Sequence, residues 1–102
     1  MVRLTSGAEE QRDRLLSYYK QKKYYEAGQY LLGAVDKAIE YIGLNPNGGK
    51  THPTSYPQVK IYGYRWVKVH IYWFSWAVVD DDLVITNILW ERGDIPNTTL
   101  DE

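Results

Sequence analysis

Apolar positions change their spacing along this chain, and each change marks an element. Val2 and Leu4 alternate with polar neighbours, which predicts a short edge strand within Met1–Thr5. Ser6 followed by Glu9 fits a capping box, in which each side chain satisfies a free backbone N–H, so a helix is expected to open there. Ala8, Leu15, Tyr18 and Tyr19 fall on one side of that helix, and a basic QKK segment ends it. A second helix is expected over roughly Tyr25 to Ile42, because Ala27, Leu31, Ala34, Val35, Ala38 and Ile42 recur at steps of three and four. Gly43 is expected at the left-handed position after it, and Pro46 blocks continuation. The few residues between the helices imply an antiparallel hairpin.

Residues Asn45 to Pro57 are rich in turn formers and read as a loop. Thereafter β-branched and aromatic residues dominate as far as Trp90, broken by Asp80, Asp81 and Asp82, which predict a hairpin turn. Helices followed by sheet indicate the α+β class: a short strand, then an antiparallel helical hairpin packed on a small antiparallel sheet.

The run Tyr64 to Trp76, YRWVKVHIYWFSW, sets six aromatic rings within thirteen residues. It cannot cross a membrane, since Arg65, Lys68 and His70 interrupt it. One strand from Tyr64 to Val79 would also exceed the usual length of about ten residues, so a turn or bulge is expected at His70 and Ile71. Alternation then sends Val67 and Val69, and after the break Tyr72, Phe74, Trp76 and Val78, toward the core. Trp66 and Lys68 fall on the opposite face, with Trp73 and Ser75, which predicts exposed indoles at Trp66 and Trp73.

Length and composition narrow the functional classes. A chain of 102 residues is one domain, 1–102, large enough to close a single core. The absence of cysteine removes disulfide frameworks, thiolate zinc sites and cysteine nucleophiles. The N-terminal segment has no apolar stretch of signal-peptide length, so the cytoplasm is the expected compartment. A formal charge of −1 gives no overall pull toward nucleic acid or anionic membrane, leaving only local patches.

Candidate chemistry is sparse. The aspartate triplet could ligate a divalent cation but reads better as a turn, and His52 and His70 lack partners at ligand spacing; no metal or cofactor is assigned. His70 could serve as a general base, though no motif supports it over a turn histidine. NGGK at Asn47–Lys50 lacks the spacing of a phosphate loop and reads as a turn. More suggestive are Lys60, Arg65, Lys68 and Arg92, interleaved with Tyr62, Tyr64, Trp66 and Trp90. Cations among rings suit either a phosphate- and base-contacting sheet or a protein-binding surface.

The ending VVDDDLVITNILWERGDIPN resembles the ParE branch of the RelE/ParE toxin superfamily of type II toxin–antitoxin systems, to which plasmid stabilisation proteins belong. The features carrying the resemblance are Arg65 opening a strand, the His70–Ile71 turn, the aromatic strand Tyr72 to Val78, the acidic turn, and Arg92, Asp94, Ile95 and Pro96 closing the last strand. NPxxG at Asn45–Gly49 also looks like the family's loop. Trp90 stands where a histidine is frequent, and Gly93 where a second basic residue is. The resemblance implies a toxin whose partners are a cognate antitoxin and DNA gyrase, which it inhibits by binding. RelE-like relatives instead cut messenger RNA on the ribosome; in that case Arg65, Lys68 and Arg92 would stabilise phosphate charge. The tail GDIPNTTLDE offers no tyrosine or histidine, which favours the ParE-like alternative over the ribonuclease. A non-toxic, partner-binding member of the fold is the third reading. Contacts to antitoxin or target are expected from Lys60, Arg65, Trp66, Lys68, Trp73, Trp90 and Arg92.

Overall fold

The computed structural model describes residues 2–51 and 64–91; Lys60, Arg92 and the motif Asp94, Ile95 and Pro96 lie outside them, as does His52. The elements follow the expected order: β1 (Val2–Leu4), α1 (Ser6–Gln21), α2 (Tyr25–Leu44), β2 (Arg65–Val69), β3 (Tyr72–Val79) and β4 (Asp82–Trp90). The class is α+β. Strands lie in the order β1-β4-β3-β2, with β1 parallel to β4 and the other pairs antiparallel, so the sheet is mixed.

Thr5, one residue before the expected cap, closes the start of α1. Its hydroxyl accepts from the Ala8 N–H at 3.1 Å, and Ser6 becomes the first helical residue. After α1 the chain turns through Lys23 at φ 60° directly into α2, which gives the tight hairpin. α2 does not stop at Gly43 but continues to Leu44. Asn45 then caps it, its N–H and its side-chain amide both donating to the Tyr41 carbonyl, at 2.8 and 3.0 Å. The apolar stripe of α2 (Leu31, Ala34, Val35, Ala38 and Ile42) is buried together with Ala8 and Tyr19 of α1 against Tyr72, Phe74, Trp76, Ile85 and Ile88. Val67 and Val69 pack beside them, so these core assignments hold. Val78 shares their face but is 62% exposed, near the end of the sheet where β3 turns into β4.

Both turns fall at the expected residues. The β2–β3 connection is the two-residue loop His70–Ile71, with His70 at φ 57°. Asp80 and Asp81 both have positive φ (51° and 67°), the backbone that two-residue hairpin turns use and that short acidic side chains tolerate. The irregularity the alternation misses is in β4. Ser75 pairs with Asn87 but Trp76 pairs with Ile85, so Thr86 is an extra residue, a β-bulge. Because of it Ile85 and Ile88, three apart rather than two, both enter the core.

The bulge is held by buried polar groups. Ser75 and Thr86 hydroxyls lie 2.7 Å apart, and Asn87 Nδ2 donates to Ser75 Oγ at 2.9 Å. Beyond the end of β1, Gln11 of α1 takes over the edge of β4: its Oε1 accepts the Ile88 N–H at 2.7 Å and its Nε2 donates to Asn87 Oδ1 at 3.0 Å. A backbone N–H that would otherwise be left inside the protein without a partner is thereby satisfied.

The expectation of exposed indoles is overturned. Trp66 is 0% and Trp73 3% exposed, and Ser75, Val84 and Leu89 on the same face are buried as well. Both faces of the sheet's central strands are covered. A near-continuous apolar run belongs to a strand buried on two sides, and alternation alone does not reveal it.

Candidate functional site

Of the residues singled out in the sequence, the structure brings Trp66, Lys68 and Trp73 together at the edge strand β2. The pairing Lys68↔Trp73 places the ammonium beside the second indole, and Trp66↔Ser75 places the first indole one pair away on the same face. Glu91, just past β4, joins them: Trp73 Nε1 donates to its carboxylate, and Lys68 Nζ lies 3.9 Å from the other oxygen. Sequence alone does not find this acid, because only the β3–β4 register brings it back to Trp73. Trp66 Nε1 is buried and has no hydrogen-bond partner among the described residues. An indole N–H without a partner in the interior is costly, since it has lost its water.

Arg65 plays a different part. Its Nη1 donates to the Gly48 carbonyl at 3.2 Å, so the guanidinium ties down the loop after α2. That loop is fastened at three further points. Lys50 and Trp66 exchange both backbone hydrogen bonds at 2.8 Å, and Trp76 Nε1 donates to the Pro46 carbonyl at 3.1 Å. Gly49, at φ 81°, passes so close that a Cβ would lie 2.5 Å from the Trp76 ring and 2.7 Å from the Trp66 carbonyl oxygen. The NGGK segment is therefore a structural clasp, and Gly49 is required in it by close approach as well as by its left-handed backbone.

The clasp delivers Lys50 to the rim of a groove of about 660 Å³ along the β2 edge, lined by Tyr41, Lys50, Trp66, Lys68 and Trp73 among others. Lys50 and Tyr41 were not among the expected contacts. Their only sequence signal is the glycine pair that folds the loop back. Trp66 turns its backbone groups outward to Lys50, and two residues on Lys68 turns its own N–H and C=O to the same side, where no further strand lies among the described residues. The groove thus offers two ammonium groups, a phenol, buried rings and a strand edge that is unpaired at Lys68 among the described residues.

Trp90 stands apart from this group. It pairs with Tyr72 on the helical face and packs against Tyr18 and Tyr19, with ring centroids 5.8 Å from each. Behind it the Tyr19 and Tyr72 hydroxyls meet at 2.6 Å, and burial, reinforced by that hydrogen bond, pushes the Tyr72 phenol well above its ordinary range. A second buried indole N–H, that of Trp90, also lacks a partner among the described residues. Lys60 and Arg92 lie outside the described residues. Among the described residues no set of three or more His, Asp or Glu side chains is placed to hold a metal ion, and no helix is long and apolar enough to cross a membrane.

No protein-family model and no curated protein sequence matches this chain. A solved structure does. A chain of the "Chromosomal ParDE TA system from P. aeruginosa" superposes with a TM-score of 0.62 at 14% identity, covering 87% of this chain and 92% of that one. The shared architecture extends over nearly the full length of both molecules, and the fold is RelE/ParE-like.

Proposed function

We propose that this chain is the toxin of a type II toxin–antitoxin system, of the ParE-like kind, that acts by binding DNA gyrase and is held inactive by a cognate antitoxin. The observation that carries the reading is the near full-length fold match to a chain of a ParDE system. The β2 groove supports a binding role over a catalytic one. Among its described residues it presents the ammonium groups of Lys50 and Lys68 above buried indoles, and the nearby carboxylate of Glu91 is already engaged by Trp73 and Lys68. An extended antitoxin segment adding a strand beside Lys68 would satisfy the open edge, and acidic side chains on it would meet Lys50 and Lys68.

The test is inducible expression in a bacterium, with and without any small adjacent reading frame, followed by plasmid topology and messenger-RNA integrity in the arrested cells. Arrest with altered supercoiling and intact messages, relieved by the neighbouring frame, is the expected result. Rapid message cleavage would replace gyrase with the ribosome and messenger RNA as target. Normal growth with folded protein present would leave a partner-binding module without toxicity.

A further inference from the structure

The exposed side of α2 carries a pattern unrelated to the β2 groove. Glu26, Gln29, Tyr30, Gly33 and Lys37 share one stripe at helical spacing, and with His70 of the β2–β3 turn they line a second groove of about 480 Å³. Gly33 forms its floor. Glycine is among the costliest residues in a helix interior, yet a Cβ here would meet nothing within 4 Å, and its backbone is not left-handed. Neither packing within the chain nor local geometry asks for it. Tyr30, one turn away, is 64% exposed, its ring held edge-on to His70 at 6.3 Å.

The stripe is complementary to itself. About a point between Leu31 and Leu32, Glu26 is the mirror position of Lys37, and Tyr30 is the mirror position of Gly33. Two such helices laid antiparallel set each Glu26 against the other's Lys37, and each Tyr30 ring over the bare backbone of the other's Gly33. Glu26 and Lys37 take part in none of the ion pairs among the described residues. A two-fold interface needs this property, since one patch must match itself when rotated.

We propose that α2 is a self-association face, through which two copies of the chain pair antiparallel around Gly33, with Tyr30 as knob and the Glu26–Lys37 pairs at either end. A contact built on one helix from each copy is smaller than a standard stable interface, so the dimer assembles at roughly 10 µM to 1 mM rather than at nanomolar concentration. It leaves the β2 edge free, and does not depend on what binds there.

Sedimentation velocity of the purified full chain over that concentration range, with circular dichroism to verify folding, tests the proposal. Lys37→Glu turns two attractive contacts into two repulsive ones and is expected to weaken dimerisation at least about tenfold. Glu26→Lys with Lys37→Glu restores the opposition with the signs exchanged, and is expected to recover most of the affinity. Gly33→Leu fills the gap for Tyr30 and abolishes the dimer while helix content holds or rises. A chain that stays monomeric throughout, a dimer indifferent to these changes, or a charge reversal that the double variant does not rescue would each overturn the proposal.

Discussion

Two glycine-to-alanine substitutions in this chain should have opposite signs. At Gly49 the new methyl lands 2.5 Å from the Trp76 ring and 2.7 Å from the Trp66 carbonyl, and the backbone there is left-handed at φ 81°. The ring is fully buried, and the carbonyl accepts the Lys50 N–H, so neither retreats without loosening the clasp. Left-handed backbone costs a non-glycine residue about 1 kcal/mol, and forcing an extra methyl into a packed core about 1–3 kcal/mol, giving a loss of about 2–4 kcal/mol. Against a typical domain stability of roughly 5–15 kcal/mol that is a large fraction. At Gly33 the methyl meets nothing within 4 Å in a helical backbone, so alanine should stabilise by about 0.5–1 kcal/mol. Urea unfolding followed by tryptophan fluorescence, at concentrations low enough to keep the chain monomeric, reads both. A loss below about 1 kcal/mol at Gly49 would show that the loop is not pinned against Trp76 and Trp66, and would undo the account of the β2 rim.

Two further substitutions probe the packing of α1 on the sheet. The raised pKa of Tyr72 means that the folded state holds this proton more tightly than the unfolded state, so the associated stability is fully present below pH about 10 and is lost as the pH rises above it. Equilibrium unfolding between about pH 9 and 12 should fall with a limiting slope near 1.4 kcal/mol per pH unit from this group, and Tyr72→Phe should flatten the fall while costing about 1 kcal/mol at neutral pH. An identical alkaline slope in wild type and variant would sink the assignment. Gln11→Ala removes the acceptor of the Ile88 N–H, so it should cost about 1–3 kcal/mol and speed amide exchange at Ile88 ahead of its strand neighbours. Unchanged protection there would mean that something else caps the edge.

Periodic stripes with sharp punctuation were readable in the sequence, and their departures have local causes. Thr5 and Ser6 are both competent caps, and the chain uses the one whose preceding strand can still bond β4 through the Thr5 N–H. Gly43 allows a left-handed exit but does not compel it; Asn45 competes by bonding back to Tyr41. The bulge left a trace in the text, since Thr86 and Asn87 are adjacent polar residues inside an apolar run, but the position of the extra residue depends on Ser75 across the strand pair. Burial of Trp66 and Trp73 was the hardest to foresee. Alternation assigns faces correctly, yet says nothing of whether the second face is covered. The clue lay in composition, because Trp66, Trp73, Ala77, Val84 and Leu89 make that face largely apolar, with Ser75 and Asn87 bonded to each other within it and Lys68 at its edge.

That burial changes what a binding experiment should see. If the rings do not themselves meet a partner, the contact falls on Lys68, Lys50 and the strand edge, and it reaches Trp73 only through Glu91. The Trp73 N–H donates to a carboxylate that Lys68 also approaches, so a partner whose acidic groups draw Lys68 away leaves Glu91 to the indole alone. The four tryptophan indoles each give a separate N–H resonance, and two of them, Trp66 and Trp90, start on opposite faces of the sheet without partners among the described residues. On titrating the product of an adjacent small reading frame into isotope-labelled protein, Trp73 and Trp66 should shift together while Trp90 stays in place. In Lys68→Ala the Trp73 shift should shrink and binding should weaken by about 1 kcal/mol, roughly fivefold. Movement of Trp90 with Trp66 and Trp73 unmoved would put the partner on the helical face, and the β2 groove would lose its role.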